Sequence, residues 1–546
     1  MKDRSKSDAK RFRGIIVVGF ALAGGAGLAR ADQPSDSGPV GEPPAAEAAA
    51  PASVPLEASP GPSSAQGAPP ASLPAAAPPA AAVPPPPPER PAIEPSQAEA
   101  TGNSWFARAP LTLAAGEGAR RWPVTLYGFV EADFILDTTR SYNDSIGSAL
   151  VARSETYDGR TGRTQSSIRN TRLGFMFESP LVGQVKPSAV LEADFFGHQD
   201  SPPGTSENTY FNSPTFRIRH AFVKVENPYV NFLMGQTYDV FGWQNYFSPC
   251  SAEFLGLPNQ LFSRNMQVRV SHAFNAGGPM SVDVAASAVR PAQRDAEIPD
   301  ANAGVRFSLN GWKGITTPGN VGTVALPLSL GVSGTVRQFK ANRFAPPPVQ
   351  GSNSATGWGL SVDALIPIIP AASADDRGNR ITLVGSFVKG SGIADLITAG
   401  GGAQFPTLPN STQANPPPLY TADIDNGLVS FDRNTVLHTI DWQAFRVGLQ
   451  YYLPPSGRLL FSANYTQAHS GNLGRLFPPG DTEIELLVYI ADTSRYADAN
   501  LFWDVTPAVR IGLSGQYTQV EYLHTPNKPA DKPHNLRGMA QTVYQF

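Results

Sequence analysis

From residue 124 onward the chain alternates. In 124–136, Val124, Leu126, Gly128, Val130, Ala132, Phe134 and Leu136 share one parity, while Thr125, Tyr127, Phe129, Glu131, Asp133 and Ile135 share the other. Successive side chains of a strand point to opposite faces, so this is a strand with one apolar face. The pattern recurs at 185–196, 215–225, 265–274, 328–337, 358–366, 445–453, 459–467 and 509–520, with Gly, Pro, Asn and Asp between the runs. No helical stripe breaks the series, so the fold is all-β.

A soluble sandwich also alternates. Three features favour a transmembrane antiparallel β-barrel instead. The chain closes on Thr542, Val543, Tyr544, Gln545 and Phe546, which resembles the terminal signal of outer-membrane barrels. Aromatics gather at run ends, as in Tyr451, Tyr452, Phe502, Trp503, Tyr517 and Tyr522, which suits interfacial girdles. Tight turns such as Ser179-Pro180 and Asn227-Pro228 trade places with long stretches at 137–165, 197–214 and 390–436, the loop asymmetry of such barrels. About 425 residues at ~10 per strand plus a connection give about 16 strands, wide enough to hold water.

The region preceding the barrel has another composition. Residues 1–31 carry a basic start, an apolar run from Ile15 to Leu28 and the step Ala29-Arg30-Ala31, the parts of a secretory signal peptide. The run is too short for a spanning helix, which takes ~20 residues. Residues 32–120 are assigned to a disordered linker, Pro/Ala-rich up to about residue 100, with too little apolar surface to offset the entropy of ordering. Residues 121–546 form the barrel domain. Seven basic and two acidic groups fall in 1–31, and one basic and eight acidic in 32–100, so the barrel is almost neutral within a net charge of −3. That balance argues against nucleic acid. A single cysteine excludes a disulfide framework or thiolate cluster, and neither cofactor nor metal is expected.

Inward parity on the first four strands alternates in sign: Glu131 and Asp133, then Arg172, then Glu192 and Asp194, then Arg217 and Arg219. Two readings stand. These are cross-strand pairs that stiffen the wall, or partly unneutralised arginines that draw anions into a constriction. Arg269 and Arg337 have no acid at an equally obvious position and tip the lumen positive, although Asp283, Asp363 and Glu521 also fall inward by parity. His220 falls on the lipid or subunit parity. The segment 237–262 holds Tyr238, Asp239, Trp243, Tyr246, Phe247, Cys250, Glu253, Phe254 and Leu255. So apolar a loop is a liability in water, so it folds inward as a constriction or covers a neighbouring subunit. Cys250 is then a small buried side chain.

The runs Leu191-Glu192-Ala193-Asp194-Phe195-Phe196-Gly197, Phe216-Arg217-Ile218-Arg219-His220-Ala221-Phe222, Gly235-Gln236-Thr237, Gly390-Ser391-Gly392-Ile393, Ala499-Asn500-Leu501 and Tyr544-Gln545-Phe546 resemble the DcaP-like trimeric outer-membrane porins. The resemblance runs from about Trp122 to the end. It implies a 16-stranded barrel in the outer membrane of a Gram-negative bacterium, a homotrimer, an inward third loop and uptake of small anions such as dicarboxylates. The family's helical amino-terminal extension is replaced here by Pro and Ala, in the periplasm. The function expected is therefore passive diffusion of small hydrophilic solutes. The alternative is a structural protein tied to the periplasm or cell wall through the extension. An enzyme is not expected: G-x-S-x-G, H-E-x-x-H and G-x-x-x-x-G-K-[ST] are absent and the seven histidines are scattered.

Overall fold

The computed structural model describes residues 111–116, 121–147, 150–197, 214–291, 293, 296–342, 352–398, 400, 424–425, 427–431, 436–476, 490–524 and 529–546. The expected signal peptide and the linker up to residue 110 lie outside them.

Sixteen strands close into one antiparallel barrel: β1 (Trp122–Asp137), β2 in two pieces (Arg163–Ser167 and Arg172–Glu178), β3 (Lys186–Asp194), β4 (Arg217–Glu226), β5 (Asn231–Tyr238), β6 (Arg264–Phe274), β7 (Met280–Val289), β8 (Asp300–Thr316), β9 (Val324–Asn342), β10 (Ser352–Ile369), β11 (Arg380–Ser391), β12 (Asp441–Tyr452), β13 (Leu459–Ser470), β14 (Ala491–Asp504), β15 (Val509–Tyr522) and β16 (His534–Gln545). Each pairs with its neighbour in the chain. The last pairs with the first, from Phe129 opposite Gln545 to Asp137 opposite Arg537, so no edge is left open. β2 breaks because Thr171 Oγ1 takes the Glu131 amide (3.1 Å), a bond from a side chain where the ladder would supply a carbonyl.

One further strand, Leu111–Ala115, pairs with the start of β1, Leu111 opposite Leu126 and Ala115 opposite Trp122. The sequence reading placed these residues in the linker, so its boundary at 120 falls too late. Leu-Thr-Leu-Ala-Ala alternates like the barrel strands, but five residues are too few to stand out beside the Pro/Ala run.

The alternation is resolved as a polar inner face and an apolar outer one. On β16, Leu536 and Tyr544 face out while Asn535, Arg537, Gln541 and Val543 are buried inside. Trp122, Trp312, Trp503 and Tyr544 are exposed near the short-turn rim, the arrangement of an aromatic girdle. The girdle read from sequence is corrected in part. Neighbours on a strand face opposite ways, so Trp503 lies outside while Phe502, Tyr452 and Tyr522 are buried within.

Candidate functional site in the barrel interior

Register brings the charges of β2, β3 and β4 together. Arg172 pairs with Asp194 across β2 and β3, and Asp194 with Arg217 across β3 and β4. Arg219 Nε donates to Glu192 Oε1 at 2.7 Å and Nη1 to Asp194 Oδ2 at 2.9 Å, with Arg219 and both acids buried. Arg217 grips Asp194 at 2.9 and 2.6 Å. Arg172 lies 3.6 Å from Glu192, which also accepts from Tyr127 Oη at 3.1 Å. Three arginines and two carboxylates thus form one closed network. Two of the three positive charges are paired at these distances, so the cluster presents a net charge of one rather than three to a passing ion.

Arg337, expected to have no acid at an obvious position, is corrected. Arg337 donates to Asp300 Oδ2 at 2.7 Å and to Asp395 Oδ1 at 2.5 Å. Asp300 opens the neighbouring strand and Asp395 comes from the loop after β11, beyond the reach of parity arguments. Arg269 donates to Gln267 Oε1 and to the Tyr238 carbonyl. Asp283 is held by Arg306 at 2.7 Å. Glu521 is corrected to the outer parity, shared with Ile511 and Leu513, where it pairs with Arg495 and Lys532. His220 is corrected in the other direction. The register slips between Glu192 and Ala193, and such a bulge flips the parity of the residues beyond it. His220 is therefore buried, with Nδ1 3.1 Å from Thr237 Oγ1 and its ring against Tyr238.

Two interior cations do lack a carboxylate within ion-pair distance among the described residues. Arg446 donates only to Gln260 Oε1 at 3.0 Å, and its Nε has no partner. Arg264 lies against the rings of Phe262 and Tyr238, with Nη1 unpartnered. Sequence reasoning passed over both. Arg446 sits at inward parity on β12, a signal that was available, whereas Arg264 stands at a strand end where parity is ambiguous.

The segment 239–263 runs through the lumen. The Gly242 amide donates to Ser333 Oγ at 2.7 Å, and Tyr246 Oη lies 2.8 Å from Ser329 Oγ. Farther on, the Cys250 carbonyl accepts from Ser462 Oγ and Asn464 Nδ2, and Ser251 Oγ donates to Asp498 at 2.6 Å. Thr466 Oγ1 donates to the Pro258 carbonyl at 2.7 Å. The loop therefore spans from the β9 wall to the β13 and β14 wall. Glycines at inward parity make its seat: a Cβ on Gly359 would lie 2.6 Å from Phe241 Cζ, and one on Gly331 2.9 Å from both Trp243 and Phe247. Trp243 is held at φ 40°, a strained backbone for a bulky residue, with its ring against Arg306 and Nε1 on the Val332 carbonyl. Tyr238 closes β5 rather than lying in the loop, and Arg219 Nη2 donates to its hydroxyl at 3.3 Å.

Asp239 is buried among Ser263 Oγ, Asn265 Nδ2 and Gln267 Nε2, and burial pushes its carboxyl up to about 6. Glu253 Oε1 accepts from Ser145 Oγ at 2.9 Å and the Ile146 amide at 3.1 Å, with Arg537 3.9 Å from Oε2. It ties the lumenal loop to the loop after β1. Burial outweighs these contacts and raises its carboxyl to about 7. Burial likewise pushes the Cys250 thiol up to about 12, so it is inert packing.

A second segment also enters the lumen. The turn 317–323 between β8 and β9 bends inward, and Gly319 exchanges backbone hydrogen bonds with Pro249 and Ser251 at 2.9 Å each. Loop and turn, entering from opposite rims, clasp inside the barrel. Between them and the β2 to β4 wall remains a cavity of about 60 Å³, room for a few waters, lined by Asn170, Arg172, Glu192, Arg219, Glu253 and Asn320 among others.

Neither a protein-family profile nor a curated relative matches the chain. Among solved structures it is similar to the outer membrane channel DcaP of Acinetobacter baumannii, with 18% identity and a TM-score of 0.52 over 80% of this chain and 100% of that one. The fold is that of DcaP. An anion-selective porin from Comamonas acidovorans aligns at 10% identity and TM-score 0.43 over 78% and 100%, and Salmonella typhi OmpF at 10% and 0.42 over 80% and 100%.

Proposed function

We propose that this barrel is a passive outer-membrane diffusion channel for small hydrophilic solutes, with a weak preference for small anions such as dicarboxylates. One observation carries the reading: a closed sixteen-stranded barrel with a polar inner face and a loop fastened across its lumen. A structural anchor would have no need of such an interior. The fold shared with DcaP, itself an outer membrane channel, supports it.

The anion preference rests on Arg264 and Arg446, together with the single positive charge left over where Arg172, Arg217 and Arg219 meet Glu192 and Asp194. It is weak because Asp363 lies in the same row as Arg446, one strand removed across Ser386. Tyr238, Asp239, Trp243 and Glu253 then act as fasteners of the constriction rather than as selective groups. A homotrimer belongs to the same reading, and chemical cross-linking of the detergent-solubilised protein tests it. Selectivity is tested by the reversal potential of the purified protein in a planar bilayer under a KCl gradient. A small shift toward the chloride potential is expected, reduced in Arg446→Gln. Clear cation selectivity would overturn the anion preference.

A further inference from the structure

Glu131 and Asp133 project from adjacent inward positions of β1 and have no Lys, Arg or His within ion-pair distance among the described residues. Both are buried, at 0% and 5% exposure. One amide nitrogen, Gln541 Nε2, donates to both: 2.7 Å to Glu131 Oε1 and 3.2 Å to Asp133 Oδ1. Arg172, the cation on the adjoining strand, is turned to Glu192 and the Phe129 ring, and Arg169 is committed to Asp144. Two carboxylates side by side in a buried wall repel each other and lose their hydration, so a positive centre is what the arrangement lacks.

The surrounding atoms lack the same thing. Asp133 Oδ2, Asn170 Oδ1 and Gln541 Oε1 are each buried without a hydrogen-bond donor among the described residues. Asn170 and Gln541 are each 2% exposed, and their amides already abut Glu131, Asn170 Nδ2 at 2.9 Å from Oε2. Turned end for end, they present oxygen to the acid pair. Asn320, on the inward turn, reaches the same Oε2 at 3.4 Å. Four elements thus converge on one point: β1, the break in β2, β16 and the turn 317–323. That break exists because Thr171 and Asn170 spend their side chains on Glu131.

We propose that Glu131 and Asp133, with the side-chain oxygens of Asn170 and Gln541, form a calcium site in the inner wall. The donor set is all oxygen, which suits a hard cation, and its irregular mixture of carboxylate and amide favours calcium over magnesium, which demands a near-ideal octahedron. Its occupancy fastens the inward turn to the wall through Asn320 and leaves Arg264 and Arg446 among the unpaired charges of the lumen. The site holds its ion whether or not the barrel conducts.

The test is calorimetric titration of the EDTA-stripped, detergent-folded full-length protein with CaCl2 and, separately, MgCl2. Saturable binding of one calcium per chain is expected, with magnesium weaker and the thermal midpoint raised by calcium. Glu131→Gln and the double variant Glu131→Gln/Asp133→Asn should each lose affinity by about tenfold or more. No saturable calcium binding by the unaltered protein at millimolar concentration would overturn the site, and this decides the matter even where a variant fails to fold. So would unchanged affinity in a folded variant, or magnesium bound as tightly as calcium.

Discussion

Glu253→Gln tests how the lumenal loop is fastened to the loop after β1. The ionised carboxylate is penalised by burial, which raises its pKa from an ordinary 4.5 to about 7. At ~1.4 kcal/mol for each pH unit, the difference corresponds to about 3 kcal/mol. The sign depends on which form holds the proton longer. Below the ordinary value both the closed and the opened loop are protonated, and the contact is at full strength. Between 4.5 and about 7 the opened form gives up its proton first, so closure weakens as pH rises and levels off above about 7. Glutamine keeps an oxygen for Ser145 Oγ and the Ile146 amide and carries no charge. The variant should match the wild type at pH 4.5 and close more firmly at pH 8. The Ile146 amide reports directly, because it donates to Glu253. Hydrogen exchange of variant and wild type compared at equal pH cancels the intrinsic rate, and about 3 kcal/mol corresponds to roughly a hundredfold greater protection at pH 8. Equal protection ratios at pH 4.5 and pH 8 would show that the charge on Glu253 does not govern closure.

The same contacts set other outcomes. Arg219→Met takes from Glu192 and Asp194 the buried arginine that bridges them and should cost about 3 kcal/mol in urea unfolding followed by tryptophan fluorescence. Arg217→Met, where the arginine side chain is 28% exposed, should cost about 1 kcal/mol, and equal losses would contradict the network. Cys250 should resist a maleimide at pH 8 in the folded protein and react after unfolding. Gly331→Leu drives a side chain into the place of Trp243 and Phe247 and should unseat the lumenal loop, raising conductance over the wild type at equal salt.

Much of the architecture was legible because a strand's period of two survives any tertiary context. Inward parity alone places Arg172, Glu192, Asp194, Arg217 and Arg219 on one wall. Parity says nothing of register, and pairing depends on register. Arg337 finds Asp300 one strand away and Asp395 from a loop, and neither distance is written in local spacing. A bulge of one residue sufficed to turn His220 inward, since every later side chain changes face. The aromatic pairs at 451–452 and 502–503 misled for a simpler reason: composition counts both members, while geometry lets only one reach the lipid. The inward turn 317–323 left no mark in hydropathy, because Thr-Thr-Pro-Gly-Asn reads as any polar turn. The glycine seat at 331 and 359 did leave one, as two side-chain-free positions at inward parity on adjacent strands.

In the diffusion channel proposed here, water and small solutes cross the barrel past the clasp of loop and turn. Single-channel recording of the purified full-length protein in a planar bilayer measures this directly. Discrete, ohmic conductance steps that grow with salt concentration are expected. A folded, inserted protein that leaves the bilayer no more conductive than lipid alone would contradict it.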